Sequence, residues 1–423
     1  MQRLKGIVVS LALLLIGGAD PARADDWQAL VDELGKEGIA PHLLYDGDGA
    51  ANLSGGNRRG VTASNNLHVQ VNLDGERLVG VPGLTVHLDG LWISGGAPSR
   101  LVGDAQGVSN IQAPSAVRMY EAWVQYNFPG DTWSILAGRF DLSTEFYRLA
   151  SAGLFLNNSF GIGPEFGLSG VAGPSVFPNT SLGLRVAYKP TADTVVRAAV
   201  LDGAPLDQQD GSPNPFNPHD GVLLVGEAAW LTRSALSRSS SEGLRIGRNA
   251  TRLDYDDKVA VGVWYYTASF RDLSFPPQAL NPGQRQGEWG GYLLVDRLLF
   301  RSASNPQRRI TGFLQLGIAD PVVDRFSTYV GAGLVMAGWL PDRPSDKLGL
   351  AVAMARNSPD YITGQQLAGV PQDDAETAIE LDYLLPVTSR VTLQPDIQYV
   401  IHPNTDARLH NATVVQLGCA ISF

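Results

Sequence analysis

A single cysteine, Cys419, stands in 423 residues. It rules out an internal disulfide framework and a cysteine metal cluster. The six histidines (His42, His68, His87, His219, His402 and His410) include no close pair, and neither H-E-x-x-H nor G-x-S-x-G occurs. "DGDG" (46–49) lacks the later ligands of a calcium loop. No metal, cofactor or catalytic constellation is therefore expected. Charge is scarce as well. Charged residues make up 17% of the chain, against roughly 25% in ordinary soluble domains. Acids outnumber bases 42 to 32, a formal net charge of −10, which argues against a nucleic-acid partner. Past the first two dozen residues no apolar run reaches the roughly 18 residues of a membrane helix.

What is present is glycine, 47 of them, and alternation. Few charges, much glycine and no membrane helix fit two classes: a large secreted β protein or an outer-membrane barrel. Residues 1–24 read as an export signal: Arg3 and Lys5, then the apolar "GIVVSLALLLIGG", then Ala22-Arg23-Ala24, with cleavage expected before Asp25. One helix is expected, over 25–38 on the periplasmic side, where Trp27, Leu30, Val31 and Leu34 follow helical spacing and Gly35 or Gly38 can end it.

From residue 39 the period is two. "LHVQVNL" sets Leu67, Val69, Val71 and Leu73 against His68, Gln70 and Asn72. "YEAWVQYNF" sets Tyr120, Ala122, Val124, Tyr126 and Phe128 against Glu121, Trp123, Gln125 and Asn127. "VTLQPDIQYVI" alternates likewise. About sixteen such segments start near 39, 61, 82, 117, 131, 181, 193, 221, 257, 288, 308, 325, 346, 374, 388 and 411. Most are long enough to cross a bilayer as tilted strands. On one side the connections are short ("DGERLVG", "PG", "PTAD", "SASNPQ", "PDRPS", "VTS"). On the other they are long, around 94–116, 142–180, 203–220, 271–287 and 358–373. That asymmetry is characteristic of outer-membrane barrels. Residues 233–256 break it: they should be a short turn but are long, Ser-rich and carry five arginines. Mid-strand polar residues on one face and simple apolar residues on the other predict an all-β, transmembrane antiparallel barrel over 39–423 with a wet lumen.

The block "YEAWVQYNFPGDTWSILAGRFDLSTEFYRLASAGLFLNNSFGIGPEFGLSGVAGPSVFPNTSLGLRVAYKPTADTVVRAAVLDG" (120–203) resembles the central region of the carbohydrate-selective porins, the OprB family. "SGGNRRG" (54–60), "VTLQPDIQYVIHPN" (391–404) and the terminal Phe423 resemble it too. The resemblance implies a sixteen-stranded channel, usually monomeric, that passes small sugars such as glucose across the outer membrane. It also implies a barrel set in outer-membrane lipid and lipopolysaccharide, with Phe423 read by the barrel assembly machinery. A trimer, a general or anion-leaning diffusion pore, and a secreted soluble carbohydrate-binding protein or hydrolase remain as alternatives.

Strand parity places the candidate constriction. Glu121 and Trp123 point inward; Arg139 and Asp141 share a face away from Leu136, Phe140 and Leu142; Arg185 and Arg197 point inward from neighbouring strands. Like charges side by side need carboxylates, and Glu121, Asp141 and Glu227 are in reach by strand order. Trp264, Tyr266 and Phe313 have inward parity and suit stacking on sugar faces. The longest connection, 142–180, is the candidate constriction loop, with Asn157, Asn158 and Glu165 as its hydrogen-bonding groups. Glu380 and Asp382, on one strand face, read as lumen charges rather than a glycosidase pair.

Overall fold

The computed structural model describes residues 21–205, 216, 219–232 and 255–423. Most of the expected export signal (1–20) and nearly all of the Arg-rich segment (233–254) lie outside the described residues. Helix α1 (Pro21–Lys36) starts four residues before the expected helix and spans the expected cleavage point. It ends ahead of Gly38, whose φ of +88° suits glycine and turns the chain into the first strand.

Sixteen strands follow. They are β1 (Ile39–Ser54), β2 (Gly60–Asp74), β3 (Leu84–Gly95), β4 (Ala116–Asn127), β5 (Trp133–Phe140), β6 (Ser181–Thr191), β7 (Thr194–Asp202) and β8 (Val222–Thr232). The second half comprises β9 (Asp257–Arg271), β10 (Gln284–Arg301), β11 (Arg309–Ala319), β12 (Phe326–Ala337), β13 (Lys347–Asn357), β14 (Ala375–Pro386), β15 (Val391–Ile401) and β16 (Ala412–Ser422). Each start lies within four residues of the one expected from alternation. Every strand pairs antiparallel with its neighbours in sequence, and β1 pairs with β16, so the ring has no free edge. Closure leaves no unpaired strand edge facing hydrocarbon, which would not tolerate one.

The two faces separate as the period of two dictates. Val61, Val117, Val263, Leu350 and Leu417 stay exposed on the outside. His68, Gln70, Glu227, Glu288, Asp296, Glu380, Gln398 and Gln416 are buried on the inside. Charges inside and an exposed apolar band outside suit a lipid surround, not water. On β16, Cys419 shares the outer face with Val415 and Leu417, and pairs with Gly47 and Leu393. A water-soluble maleimide should therefore label it slowly in proteoliposomes and rapidly after denaturation. Equal rates would mean that β16 is turned the other way.

Two parity expectations need correction. In β4 the register passes from Glu121 opposite Asp89 straight to Met119 opposite Gly90, skipping Tyr120. This β-bulge lets consecutive residues Tyr120 and Glu121 both face inward, so Tyr120 does not meet lipid. In β5, Leu136 pairs with Gln125 and Arg185 and is buried, sharing the inner face. Phe140 and Leu142 are buried too. Alternation fails at Gly138, where φ is +135° and an added Cβ would sit 2.3 Å from the Ala122 carbonyl oxygen. Arg139, Phe140 and Asp141 beyond it are all buried.

Candidate functional site

The connection between β5 and β6 is packed into the interior. Its aromatic and aliphatic side chains (Phe146, Tyr147, Leu154, Phe155, Phe160, Phe166) form one core with inward residues of β9–β13. Phe166 stacks on Trp264 at 5.0 Å and 7°, and Phe155 and Phe160 both contact the Phe313 ring. Polar side chains of the wall then take up the loop's backbone groups one by one. Asp296 of β10 accepts from the amide and hydroxyl of Ser151. Glu380 of β14 accepts from the amides of Leu156 and Asn157. Gln394 and Gln315 donate to the carbonyls of Leu154 and Phe160, and Tyr329 donates to that of Ser159. Glu288 accepts from the amide of Gly170. A loop without regular ladders thus has its buried backbone satisfied by strand side chains. Gly317 makes room for it: a Cβ there would lie 1.9 Å from Glu165 Oε1.

The start of the loop faces β6–β9. Arg185 (β6) and Arg197 (β7) are not directly opposite; the register sets Arg185 against Ala199 and Arg197 against Ala187. Both reach one loop carboxylate, Glu145, at 2.9 and 3.5 Å. Glu227 of β8 sits 3.6 Å from Arg197 and 3.7 Å from Lys258 of β9. Lys258 also donates to the Arg148 carbonyl. Arg148 lies near enough to Glu145 and Arg197 to feel both charges. Among the described residues, these four cations thus share Glu145 and Glu227, with Asp141 near Arg148 and Asp296 near Lys258. Asp48, Glu380, Asp382 and Asp396 line the inner face of β1, β14 and β15, on the opposite side of the ring.

A sixteen-strand closed barrel with an inward-folded connection and charged walls is a pore architecture. The model of the carbohydrate-selective porins, OprB family, matches residues 58–423. The chain belongs to the OprB family of carbohydrate-selective porins. Porin B of Pseudomonas aeruginosa is 23% identical over 425 residues, covering 94% of this chain and 90% of that protein. A putative porin, QuiX, of Acinetobacter baylyi is 25% identical over 336 residues, covering 72% of this chain and 69% of its own. The high-pH structure of Pseudomonas putida OprB superposes with a TM-score of 0.79 at 21% identity, covering 94% of this chain and 97% of that one. This OprB-family porin is an outer-membrane channel.

Within the porin, the residues singled out by sequence are placed as follows. Arg185, Arg197 and Glu227 belong to the cluster described above. Glu121 and Asp141 do not neutralise those arginines: Glu121 faces His87, and Asp141 accepts from the Tyr120 hydroxyl and the Ser143 amide. Glu145 takes that role instead. Arg139 stands apart, its Nε donating to Thr180 Oγ1 at 2.7 Å. Trp123 is buried against His87, their rings 4.9 Å apart. Trp264, Tyr266 and Phe313 pack against the loop and are not open to a permeant. Asn157 donates to Gln398 and accepts from the Ser159 amide; Glu165 accepts from the Tyr147 hydroxyl; the side chain of Asn158 is exposed. Glu145, Arg148 and Lys258 were missed. Lys258 shares the parity of Trp264 and was legible, whereas no periodicity marks a loop residue.

Glu165 carries a pH signature. Burial pushes its carboxyl up to about 7, against a hydrogen bond from Tyr147 that favours the anion. Between about 4.5 and 7 the folded state then binds more protons than the unfolded one, so its contribution to stability falls as pH rises through that window. The full difference is about 3 kcal/mol. Glu165→Gln should raise the thermal midpoint in detergent at pH 8 and leave it nearly unchanged at pH 4. An equal shift at both pH values would assign the effect to packing.

Proposed function

We propose that small sugars diffuse down their gradient through a passage bordered by Arg185, Arg197, Glu145 and Glu227, and that Arg197 makes the main transient contacts. The observation that carries this reading is a difference in exposure. The Arg197 side chain is 25% accessible, while those of Arg185 and Glu227 are at 3% and 0%. A guanidinium presents planar donors that bond hydroxyl pairs in several poses. Its partners here are long, at 3.5 and 3.6 Å, so donors remain for a permeant. Contacts of this kind are weak enough to release what they bind. Residues 142–180 form the constriction in this reading. One chain is the working unit, set in outer-membrane lipid and lipopolysaccharide, with Phe423 presented to the barrel assembly machinery.

Planar-bilayer recordings with glucose and maltose oligomers provide the test. Saturable sugar block of the ion current, reduced by Arg185→Ala and Arg197→Ala and less so by Arg139→Ala, is expected. An anion-leaning current with no saturable sugar block would replace the sugar reading with a general diffusion pore, which the basic side chains of the cluster would equally suit.

A further inference from the structure

We infer that His87, Asp89 and Glu121 form a binding site for a divalent transition ion, with zinc as the best fit. β3 places His87 and Asp89 two residues apart on its inner face, and the register puts Glu121 directly across from Asp89. All three side chains are buried, at 1%, 0% and 0% exposed. One ligand atom from each lies within 4.8 Å of the other two. His87 Nε2, Asp89 Oδ1 and Glu121 Oε2 have no hydrogen-bond partner. Among the described ion pairs, the partners of Asp89 and Glu121 are histidines, with no Lys or Arg in contact. Two buried carboxylates set opposite each other, with histidines as their only ion-pair partners among the described residues, are unfavourable unless further positive charge is supplied.

The geometry matches ligation better than a histidine–carboxylate hydrogen bond. His87 Nε2 and Glu121 Oε2 are 3.6 Å apart. That is too long for a hydrogen bond, and it suits two ligands each about 2.0–2.2 Å from a shared ion. The remaining atom of each ligand is held from outside. His87 Nδ1 lies 2.8 Å from Asn72 Oδ1, which calls for a proton on Nδ1 and leaves the Nε2 lone pair for the ion. Asp89 Oδ2 accepts from Gln70 and lies 2.8 Å from His68 Nδ1. Glu121 Oε1 accepts from the amide of Asp141. Trp123 stacks on the His87 ring and fixes its plane. One imidazole and two carboxylates select zinc, cobalt or manganese over calcium and magnesium, which favour all-oxygen shells. Because Glu121 holds the amide of Asp141, where the constriction loop leaves β5, an ion here would pin the loop's origin. Sequence reading saw no such site, since Glu121 lies far along the chain from the other two ligands and no motif spans the gap.

The test uses the folded porin in detergent, stripped with EDTA and titrated with ZnCl2 against a chromophoric chelator. One zinc per chain is expected, unaffected by millimolar Ca2+ or Mg2+. Asn72→Ala, which spares the ligands, should weaken binding about tenfold or more, and His87→Ala and Glu121→Gln should weaken it further. Co2+ should give visible d–d bands that His87→Ala abolishes. Should His87→Ala not fold, Asp89→Asn and Asn72→Ala serve in its place. Absence of zinc uptake by the folded wild-type porin, or wild-type affinity in folded ligand variants, overturns the site whatever the sugar recordings show.

Discussion

Replacing Ser151–Gly170 with a short Gly-Ser linker should raise single-channel conductance severalfold, abolish sugar block, and lower the thermal midpoint of the porin. The three effects share one cause. This segment fills the interior on the side of β9–β15, with its backbone bonded to Asp296, Glu380, Gln315, Gln394 and Glu288. Removing it empties that part of the interior and, on the proposed reading, should widen the passage. It also bares Trp264, Tyr266 and Phe313, which pack on Phe155, Phe160 and Phe166. Each large apolar side chain returned to water costs about 1.5–3 kcal/mol. Selectivity for ions should move as well. Asp296, Glu288 and Glu380 lose the amides they now bind and would face the water-filled lumen as free anions. A reversal potential shifted toward cations in a salt gradient is the expected sign. Unchanged conductance would show that the constriction lies elsewhere.

The barrel itself was legible because the bilayer imposes a simple rule on sequence. Each residue of the wall meets either lipid or interior, so side-chain character alternates and strand starts can be read to within a few residues. Reading failed where the backbone leaves that regularity. The bulge at Tyr120 gives two successive residues to one face, and Gly138 ends the alternation in β5. Neither event leaves a mark in hydrophobicity. The aromatics of β9 and β11 had the right parity but the wrong partner, because parity says which side a ring faces and not what fills the space there. Glu145 and Arg148 were out of reach for a related reason: loop residues have no period, and their positions follow from how the loop packs. The His87–Asp89–Glu121 group combines a visible i, i+2 pair with a partner that only the β3–β4 register supplies.

The cluster at β6–β9 yields the second large effect, and the contrast between Lys and Ala at one position carries it. Arg197→Ala should weaken sugar block about tenfold or more, the scale of losing charge-assisted hydrogen bonds of about 1.5–3 kcal/mol. Arg197→Lys keeps the charge but replaces a planar fork with a point donor. It should lose most of the sugar block while leaving anion preference near wild type. Arg185 provides the internal control. It is bonded to Ser134, Gln125 and Glu145 and has little surface left. Removing it leaves Glu145 with Arg197, whose charge is then drawn off the permeant. Arg185→Ala should therefore weaken sugar block through Glu145, and the added change Glu145→Gln should restore part of it. If Arg197→Lys blocks as the wild type does, charge alone sets the affinity, and the geometric argument for sugar hydroxyls fails. If the double variant recovers nothing, Arg185 touches the permeant itself and the division of labour between the two arginines is reversed.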